Sequence, residues 1–92
     1  MLNQRIRELR TLRNISQVEL ASALGVTKQS VSNWENDNIQ PSIEMLIKLA
    51  NFFGVSTDYL LGIDDREVLD VSYLPKEVIT HIRMLIDDFK NI

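Results

Sequence analysis

The stretch at residues 17–36, QVELASALGVTKQSVSNWEN, constrains the fold of this chain more than any other. Apolar residues recur at spacings of three or four on both sides of a glycine: Leu20, Leu24, Val31 and Trp34. Such spacing places side chains on one face of a helix. Gly25 stands between the two pairs, where glycine readily adopts the left-handed backbone that ends a helix. We therefore predict two short helices joined by a tight turn at Gly25.

The starts of both helices are also marked. Ser16 is followed three residues later by Glu19, which is the spacing of a capping box in which each side chain bonds the other residue's backbone amide. Thr27 is suited to cap the second helix. Ala21 falls where the two helices would cross, and its small side chain lets the backbones approach closely. We interpret this unit as a helix-turn-helix.

The second helix has an unusual outer surface. Once its apolar residues are turned inward, six polar residues face outward: Thr27, Lys28, Gln29, Ser30, Ser32 and Asn33. A plain solvated helix more often carries Glu and Lys at spacings of four. Gln and Asn can each bond bidentately to adenine in the major groove, and Lys suits guanine. The surface favours contact with DNA bases, and a polar helix on an ordinary small bundle is the alternative.

The residue pattern of this unit resembles a known family. The pattern Q-x-x-L-A-x-x-L-G-V-T-x-x-x-V-S-x-W-E, which starts at Gln17, is similar to that of the lambda Cro and cI repressor-like family, also called the XRE family. P-S-x-x-x-L-x-K-L-A from Pro41 and G-V-S-x-D-Y-L-L-G from Gly54 continue the resemblance, which covers about residues 2–62. It implies an all-α fold, a five-helix lambda-repressor-like DNA-binding domain, here followed by a C-terminal helix. It also implies a transcriptional repressor that binds two-fold operator DNA as a homodimer.

The resemblance further implies which residues contact DNA and which act structurally. Gln17 would contact phosphate, and four residues would face bases: Thr27, Lys28, Gln29 and Asn33. Ser30, Ser32 and Asn36 complete the expected DNA-binding set. Arg10 would pair with Glu35 and so fix the tilt of the second motif helix, which makes Arg10 structural first and a phosphate contact second.

The segments around the motif complete the expected domain, which spans residues 1–62. The first helix is expected from Leu2 to Arg13. After the motif, a loop without glycine must turn, and Asn36 or Asn38 is expected to adopt the left-handed conformation there. Ser42 then starts a helix whose inward face is predicted to comprise Ile43, Leu46, Ile47, Leu49, Ala50 and Phe53. A short fifth helix follows and ends at Gly62.

Residues 63–92 are expected to form an acidic linker and an amphipathic helix that runs to about Lys90. That helix carries apolar residues four and three apart, as in a heptad seam: Val78, Ile82, Leu85, Phe89 and Ile92. Such a face must be buried, and we favour burial against a second copy over burial against its own domain. A second function stays open, that of an antitoxin-like protein whose C-terminal segment binds another protein.

The charge is divided unevenly along the chain, whose net charge is -3. Residues 1–34 contain five basic and two acidic side chains, net +3, whereas residues 63–92 contain four basic and seven acidic ones, net -3. We predict a basic end that faces phosphate and an acidic end that faces away.

The composition gives no sign of other kinds of site. There is no cysteine among the 92 residues, so disulfides and thiolate zinc sites are excluded. His81 is the only histidine, and no pattern typical of a catalytic nucleophile surrounds it. We therefore expect no catalytic residue, no cofactor and no enzymatic activity. The acidic pairs at 64–65 and 87–88 lack the other oxygen ligands of a calcium loop, and no metal is expected. No signal peptide or bilayer-spanning run is visible, so we expect a cytoplasmic protein without a membrane partner.

Overall fold

Six α-helices and the turns between them make up residues 1–91, the part of the chain that the computed structural model describes. The helices are α1 (Leu2–Leu12), α2 (Gln17–Leu24), α3 (Lys28–Glu35), α4 (Ile43–Phe53), α5 (Thr57–Leu61) and α6 (Lys76–Lys90). No strand occurs among these residues. The fold is all-α, as predicted, with five helices packed together and followed by a C-terminal helix.

Side-chain caps explain where four of the helices begin. In each, the hydroxyl before the helix accepts a hydrogen bond from the amide three residues later: Ser16 from Glu19 at 3.0 Å, Thr27 from Ser30 at 3.1 Å, Ser42 from Met45 at 3.1 Å and Ser56 from Tyr59 at 2.9 Å. The Ser16 amide donates in turn to Glu19 Oε1 at 2.9 Å, which completes the predicted capping box. Gly25 ends α2 with φ at 74°, in the left-handed region. The predicted helix-turn-helix is therefore present.

One apolar core joins α1 to α5. Its buried side chains come from all five helices: Ile6, Leu20, Ala21, Leu24, Val31, Trp34, Leu49, Ala50, Phe53 and Leu60. Each fully buried leucine or isoleucine contributes about 1.5–3 kcal/mol. The four apolar residues on which the motif was predicted all lie in this core, and Val26 packs against it.

The inward face of α4 differs from the prediction. Leu49, Ala50 and Phe53 are buried, and Leu46 packs against the core. Ile43, however, is 78% exposed and Ile47 is 48% exposed. At about 100° per residue, Ile47 lies well away from the middle of the buried face, whereas Ile43 lies only about 20° from Ala50 but in the first turn, before the first residue of α4 that packs on the core. Their assignment to the core was wrong, because the apolar pattern shows neither how wide the covered face is nor where along the helix the cover begins.

The loop between α3 and α4 also turns at a residue other than the ones predicted. Asp37 has φ at 59°, whereas Asn36 has φ at -90° and Asn38 is not left-handed. Aspartate tolerates this region better than most residues because its short side chain can bond locally. Asp37 Oδ1 accepts such a bond from Gln40 Nε2 at 2.9 Å. The expectation for Asn36 or Asn38 was therefore wrong.

Arg5 of α1 and Arg13, which follows the end of α1, bind backbone carbonyls within the domain. Arg5 Nη1 donates to the Tyr59 carbonyl at 2.6 Å, and its guanidinium lies 3.9 Å from the centre of the Tyr59 ring. Arg13 donates to the carbonyls of Phe52 and Phe53 at 3.0 and 2.8 Å. These two carbonyls end α4, where a helix carries partial negative charge. The two guanidinium groups thus hold α1 against α5 and α4.

The linker at residues 63–75 has no regular structure, and the helix after it is poorly covered. No side chain of α6 is buried. Ile79 and Ile82 are half-buried, and together with Leu69 and Val71 of the linker they line a cleft of about 250 Å³. The radius of gyration is 15.3 Å, against about 12 Å for a compact domain of this length. Since α1 to α5 share one core, the linker and α6 account for the excess.

None of the helices within residues 1–91 combines the length and the apolar character that crossing a membrane requires.

Candidate nucleic-acid interface

α3 has one side in the core and one side in solvent. Val31, Trp34 and Glu35 are buried on the inner side. On the outer side, Thr27, Lys28 and Gln29 are exposed, while Ser30, Ser32 and Asn33 are half-buried. The most exposed residues come first in the helix, and it is the amino-terminal end of a recognition helix that contacts base edges.

Hydrogen bonds between outer side chains leave functional groups free. Gln29 Nε2 donates to Asn33 Oδ1 at 3.1 Å, and the hydroxyls of Thr27 and Ser30 lie 3.1 Å apart. An amide that donates once keeps a second N–H and its carbonyl oxygen. Gln29 therefore retains one donor and one acceptor, which is what a bidentate contact with adenine requires.

Glu35 is a buried carboxylate, 2% exposed, at the inner carboxyl end of α3. Arg10 binds it through two hydrogen bonds, from Nε to Oε2 at 2.6 Å and from Nη2 to Oε1 at 3.0 Å. Burial by itself raises the pKa of the Glu35 carboxyl, but hydrogen bonds from Arg10 and Gln17, with the charges of Arg10 and Arg7, outweigh burial and hold that pKa below its usual value. The bond to Glu35 raises the pKa of Arg10 in turn. The pair ties α1 to α3 and fixes the direction of α3.

Two further DNA-binding candidates adjoin this ion pair. Gln17 Nε2 donates to Glu35 Oε1 at 3.1 Å. Asn36 is exposed, and its Nδ2 donates to Ser32 Oγ at 3.2 Å. The amino end of α2 and the carboxyl end of α3 are thus joined through side chains.

Arg7 is the residue of this site that sequence reasoning missed. Its Nη2 donates to Asn36 Oδ1 at 3.2 Å and to the Glu35 carbonyl at 3.4 Å. Its Nε lies 3.6 Å from Glu35 Oε1. The signal for it was its place three residues before Arg10, because residues three apart share one face of a helix.

The basic end of the chain is smaller than its composition predicted. Arg5 and Arg13 bind carbonyls within the domain, and Arg10 binds Glu35. The other two cations of residues 1–34 are Lys28, which is exposed at the start of α3, and Arg7, whose side chain is 53% exposed and bonds Asn36. The number of arginines in this part of the chain was correct from the sequence. Three of them, however, are bound by backbone carbonyls or by the buried Glu35 carboxylate, which composition alone does not show.

Within the described residues, no three His, Asp or Glu side chains lie close enough together to hold a metal ion.

Comparison with known proteins agrees with this geometry. Residues 6–60 match the profile of the helix-turn-helix family. The chain is also 41% identical over 64 residues to the HTH-type transcriptional regulator ImmR of Bacillus subtilis (strain 168).

The chain belongs to the XRE-type helix-turn-helix family. The resemblance to lambda Cro and cI repressors is thereby confirmed. The match to ImmR covers 70% of this chain and 50% of ImmR, so this XRE-type chain spans about half the length of that relative.

Two solved structures resemble this XRE-type chain over different lengths. The crystal structure of the P22 c2 repressor in complex with a synthetic operator has a TM-score of 0.66 and 34% identity, and the match covers 70% of this chain and 97% of that one. The complex of the SinR and SinI proteins has a TM-score of 0.63 and 28% identity, and the match covers 100% of both chains. The second likeness therefore includes the linker and α6.

The five residues expected in a dimer seam on α6 do not share one environment. Val78 is 40% exposed, Leu85 59% and Phe89 70%. Ile82 is half-buried against the linker, and Ile92 lies outside the described residues. Ile86, at 49% exposed, extends the open part of the face. The apolar surface in solvent is thus Val78, Leu85, Ile86 and Phe89, and we call it the α6 face.

Proposed function

We propose that this chain is a sequence-specific DNA-binding regulator of transcription, of the repressor class, and that it binds two-fold operator DNA as a homodimer. The observation that carries the proposal is the outer side of α3, where Lys28 and Gln29 are exposed at the amino-terminal end of a helix whose other side lies in the core. The similarity to the P22 c2 repressor, which was solved with an operator, supports it.

The proposed contacts divide into base and backbone contacts. Thr27, Lys28, Gln29 and Asn33 face bases, since they occupy the outer side of α3. Ser30 and Ser32 reach phosphate or sugar, and Gln17 and Asn36 bind phosphate at the two ends of the motif. Backbone contacts supply affinity and register, whereas base contacts sort sequences. The partial positive charge at the amino ends of α2 and α3 adds to the attraction for phosphate.

We propose that residues 1–62 are the DNA-binding domain and that residues 63–92 are the dimerisation segment. The α6 face supports this division because contiguous exposed apolar surface marks an interaction site. A second copy is the favoured occupant, since two half-sites need two recognition helices. A helix of 15 residues is too short for a lasting two-stranded coiled coil, so the exposed linker residues Leu69 and Tyr73 contribute to the interface.

Direct binding measurements test the DNA-binding proposal. An operator is first selected from a random duplex pool, and fluorescence anisotropy then compares it with a shuffled duplex of the same composition. We expect the operator to bind at least about 1,000-fold more tightly and both affinities to fall as salt rises. Equal affinity for the two duplexes would contradict sequence-specific regulation.

A second candidate function is regulation by a protein partner that binds residues 63–92. The likeness to a chain of the SinR and SinI complex favours it, because that likeness extends through α6. Sedimentation separates the candidates: a full chain that dimerises while a chain ending at Gly62 stays monomeric supports self-association. A full chain that remains monomeric at operator-binding concentrations favours a different partner.

A further inference from the structure

Arg7 connects two side-chain amides at opposite ends of the helix-turn-helix, Asn36 by a direct hydrogen bond and Gln17 through the Glu35 carboxylate. Its guanidinium bonds Asn36 Oδ1 at 3.2 Å and lies 3.6 Å from Glu35 Oε1, the same oxygen that accepts from Gln17 Nε2 at 3.1 Å. About half of the Arg7 side chain is exposed, so packing does not explain its position.

The chemistry of these partners fixes which way each amide points. An Asn or Gln side chain can present either its carbonyl oxygen or its NH2 group at a given place. Arginine only donates, so the group of Asn36 that faces Arg7 must be Oδ1. The Nδ2 of Asn36 then points to Ser32 Oγ at 3.2 Å and keeps one N–H free.

The same reasoning applies to Gln17. A carboxylate only accepts, so the group of Gln17 that faces Glu35 must be Nε2, which again keeps one N–H free. Phosphate oxygens also only accept, which means that an amide binds phosphate through N–H and repels it through its carbonyl oxygen. Both amides are therefore held with a donor available.

We propose that Arg7 is a positioning residue for contact with the DNA backbone, acting through Asn36 directly and through the Glu35 carboxylate on Gln17. This inference rests on the proposed DNA-binding function. In the proposed arrangement Arg7 itself makes no contact with phosphate. Without it, Asn36 can rotate by 180° about its terminal bond, and the free protein must then select the productive orientation each time it binds.

The test uses the full chain and the selected operator. Arg7→Met keeps the length of the side chain and removes its donors, and Arg7→Lys restores a group that only donates. Arg66→Met is the matched control, because it removes the same charge from a linker residue that bonds Asp64. We expect Arg7→Met to weaken operator binding about 3- to 10-fold, the loss of one hydrogen bond. Arg7→Lys should recover most of that loss, and Arg66→Met should change affinity less than about twofold.

Two readouts separate positioning from direct contact and from a merely structural role. The slope of log affinity against log salt should be unchanged in Arg7→Met, since a direct arginine contact to phosphate would lower it by about one. Combining Arg7→Met with Asn36→Ala should weaken binding little beyond Asn36→Ala alone, because non-additivity is expected when one residue acts through the other.

Three results would overturn the inference: a lower salt slope, fully additive losses, or an effect of Arg7→Met no larger than that of Arg66→Met. Each of these leaves wild-type binding to the operator intact. Failure of the proposed function is a different result, in which the wild-type chain itself does not distinguish the operator from the shuffled duplex.

Discussion

Trp34 is the one aromatic residue of α3, and its side chain packs in the core with 6% of its surface exposed. Replacing it with alanine removes most of that contact, so we expect Trp34→Ala to lower the free energy of unfolding by about 3–5 kcal/mol. That is a large share of the roughly 5–15 kcal/mol of a natural domain. Urea unfolding followed by circular dichroism measures the change. A well-folded variant that had lost only DNA binding would instead place the indole at the interface.

The ion pair at Glu35 gives the domain an acid-sensitive component of stability. The folded-state pKa of Glu35 is lowered, so its contribution is complete above the usual glutamate pKa of about 4.3 and is lost as the pH falls from there through the lower folded-state value. Glu35→Gln should be less stable than wild type at pH 7 by about 1–3 kcal/mol, since hydrogen bonds to charged groups are the stronger ones.

The pH dependence of the difference provides the check. Because glutamine does not titrate, the gap in unfolding free energy between wild type and Glu35→Gln should narrow below about pH 4.3. Denaturant titrations at pH 7, 5, 4 and 3 would follow it. A constant gap over that range would show that the carboxylate charge does not stabilise the fold.

At the scale of elements, α6 lacks any buried side chain while α1 to α5 share one core. If a second copy covers the α6 face, a charge placed on it should prevent association without unfolding the chain. Leu85→Glu and Phe89→Glu are suitable, since the two side chains are 59% and 70% exposed. We expect either change to weaken dimerisation at least about 10-fold, because burying an unpaired charge at an interface costs several kcal/mol.

Met84 supplies the control for that experiment. It is 57% exposed and lies on the opposite side of α6, two residues from Ile82 and Ile86. Met84→Glu should therefore leave sedimentation unchanged. Equal effects of Met84→Glu and Leu85→Glu would show that general charge, and not a particular face, governs association.

The elements that the sequence predicted well are those with local signals. The caps at Ser16 and Thr27, the turn at Gly25 and the heptad-like helix after Pro75 each depend on residues within a few positions of one another. The structure adds what depends on distant partners. The carbonyl that accepts from Arg5 lies 54 residues away, at Tyr59, so no local pattern could show that this charge is not available to DNA.

Two predictions about single residues were wrong, one for the inward face of α4 and one for the loop before it. Ile43 and Ile47 continue the apolar pattern of α4 but lie at the end and at the side of the covered face, so the pattern alone overstated the inward surface of the helix. Asp37 and its asparagine neighbours share the same tolerance of a left-handed backbone, so residue type did not identify Asp37 as the one that adopts it. The loop was therefore predictable, and its turning residue was not.

The molecule as a whole has two parts with different surfaces, a packed helix-turn-helix domain and an open, apolar α6. We propose that the first reads DNA and the second sets the spacing between two readers. Dimeric proteins of this motif bind half-sites one helical turn apart, about 10 base pairs centre to centre. The first part should therefore determine the sequence of each half-site, and the second part the distance between the two half-sites.

Selection of bound duplexes from a random pool, performed in parallel with wild type and Gln29→Ala, tests the central claim most directly. Wild type should enrich a two-fold sequence with half-sites about 10 base pairs apart. Gln29→Ala should enrich the same sequence with the preference relaxed at one base pair in each half-site, and should bind the wild-type operator about 1–3 kcal/mol more weakly. Gln17→Ala, as a control, should weaken binding without altering the enriched sequence. Identical sequences from wild type and Gln29→Ala, or no enrichment by wild type, would contradict the assignment of α3 as the element that reads DNA.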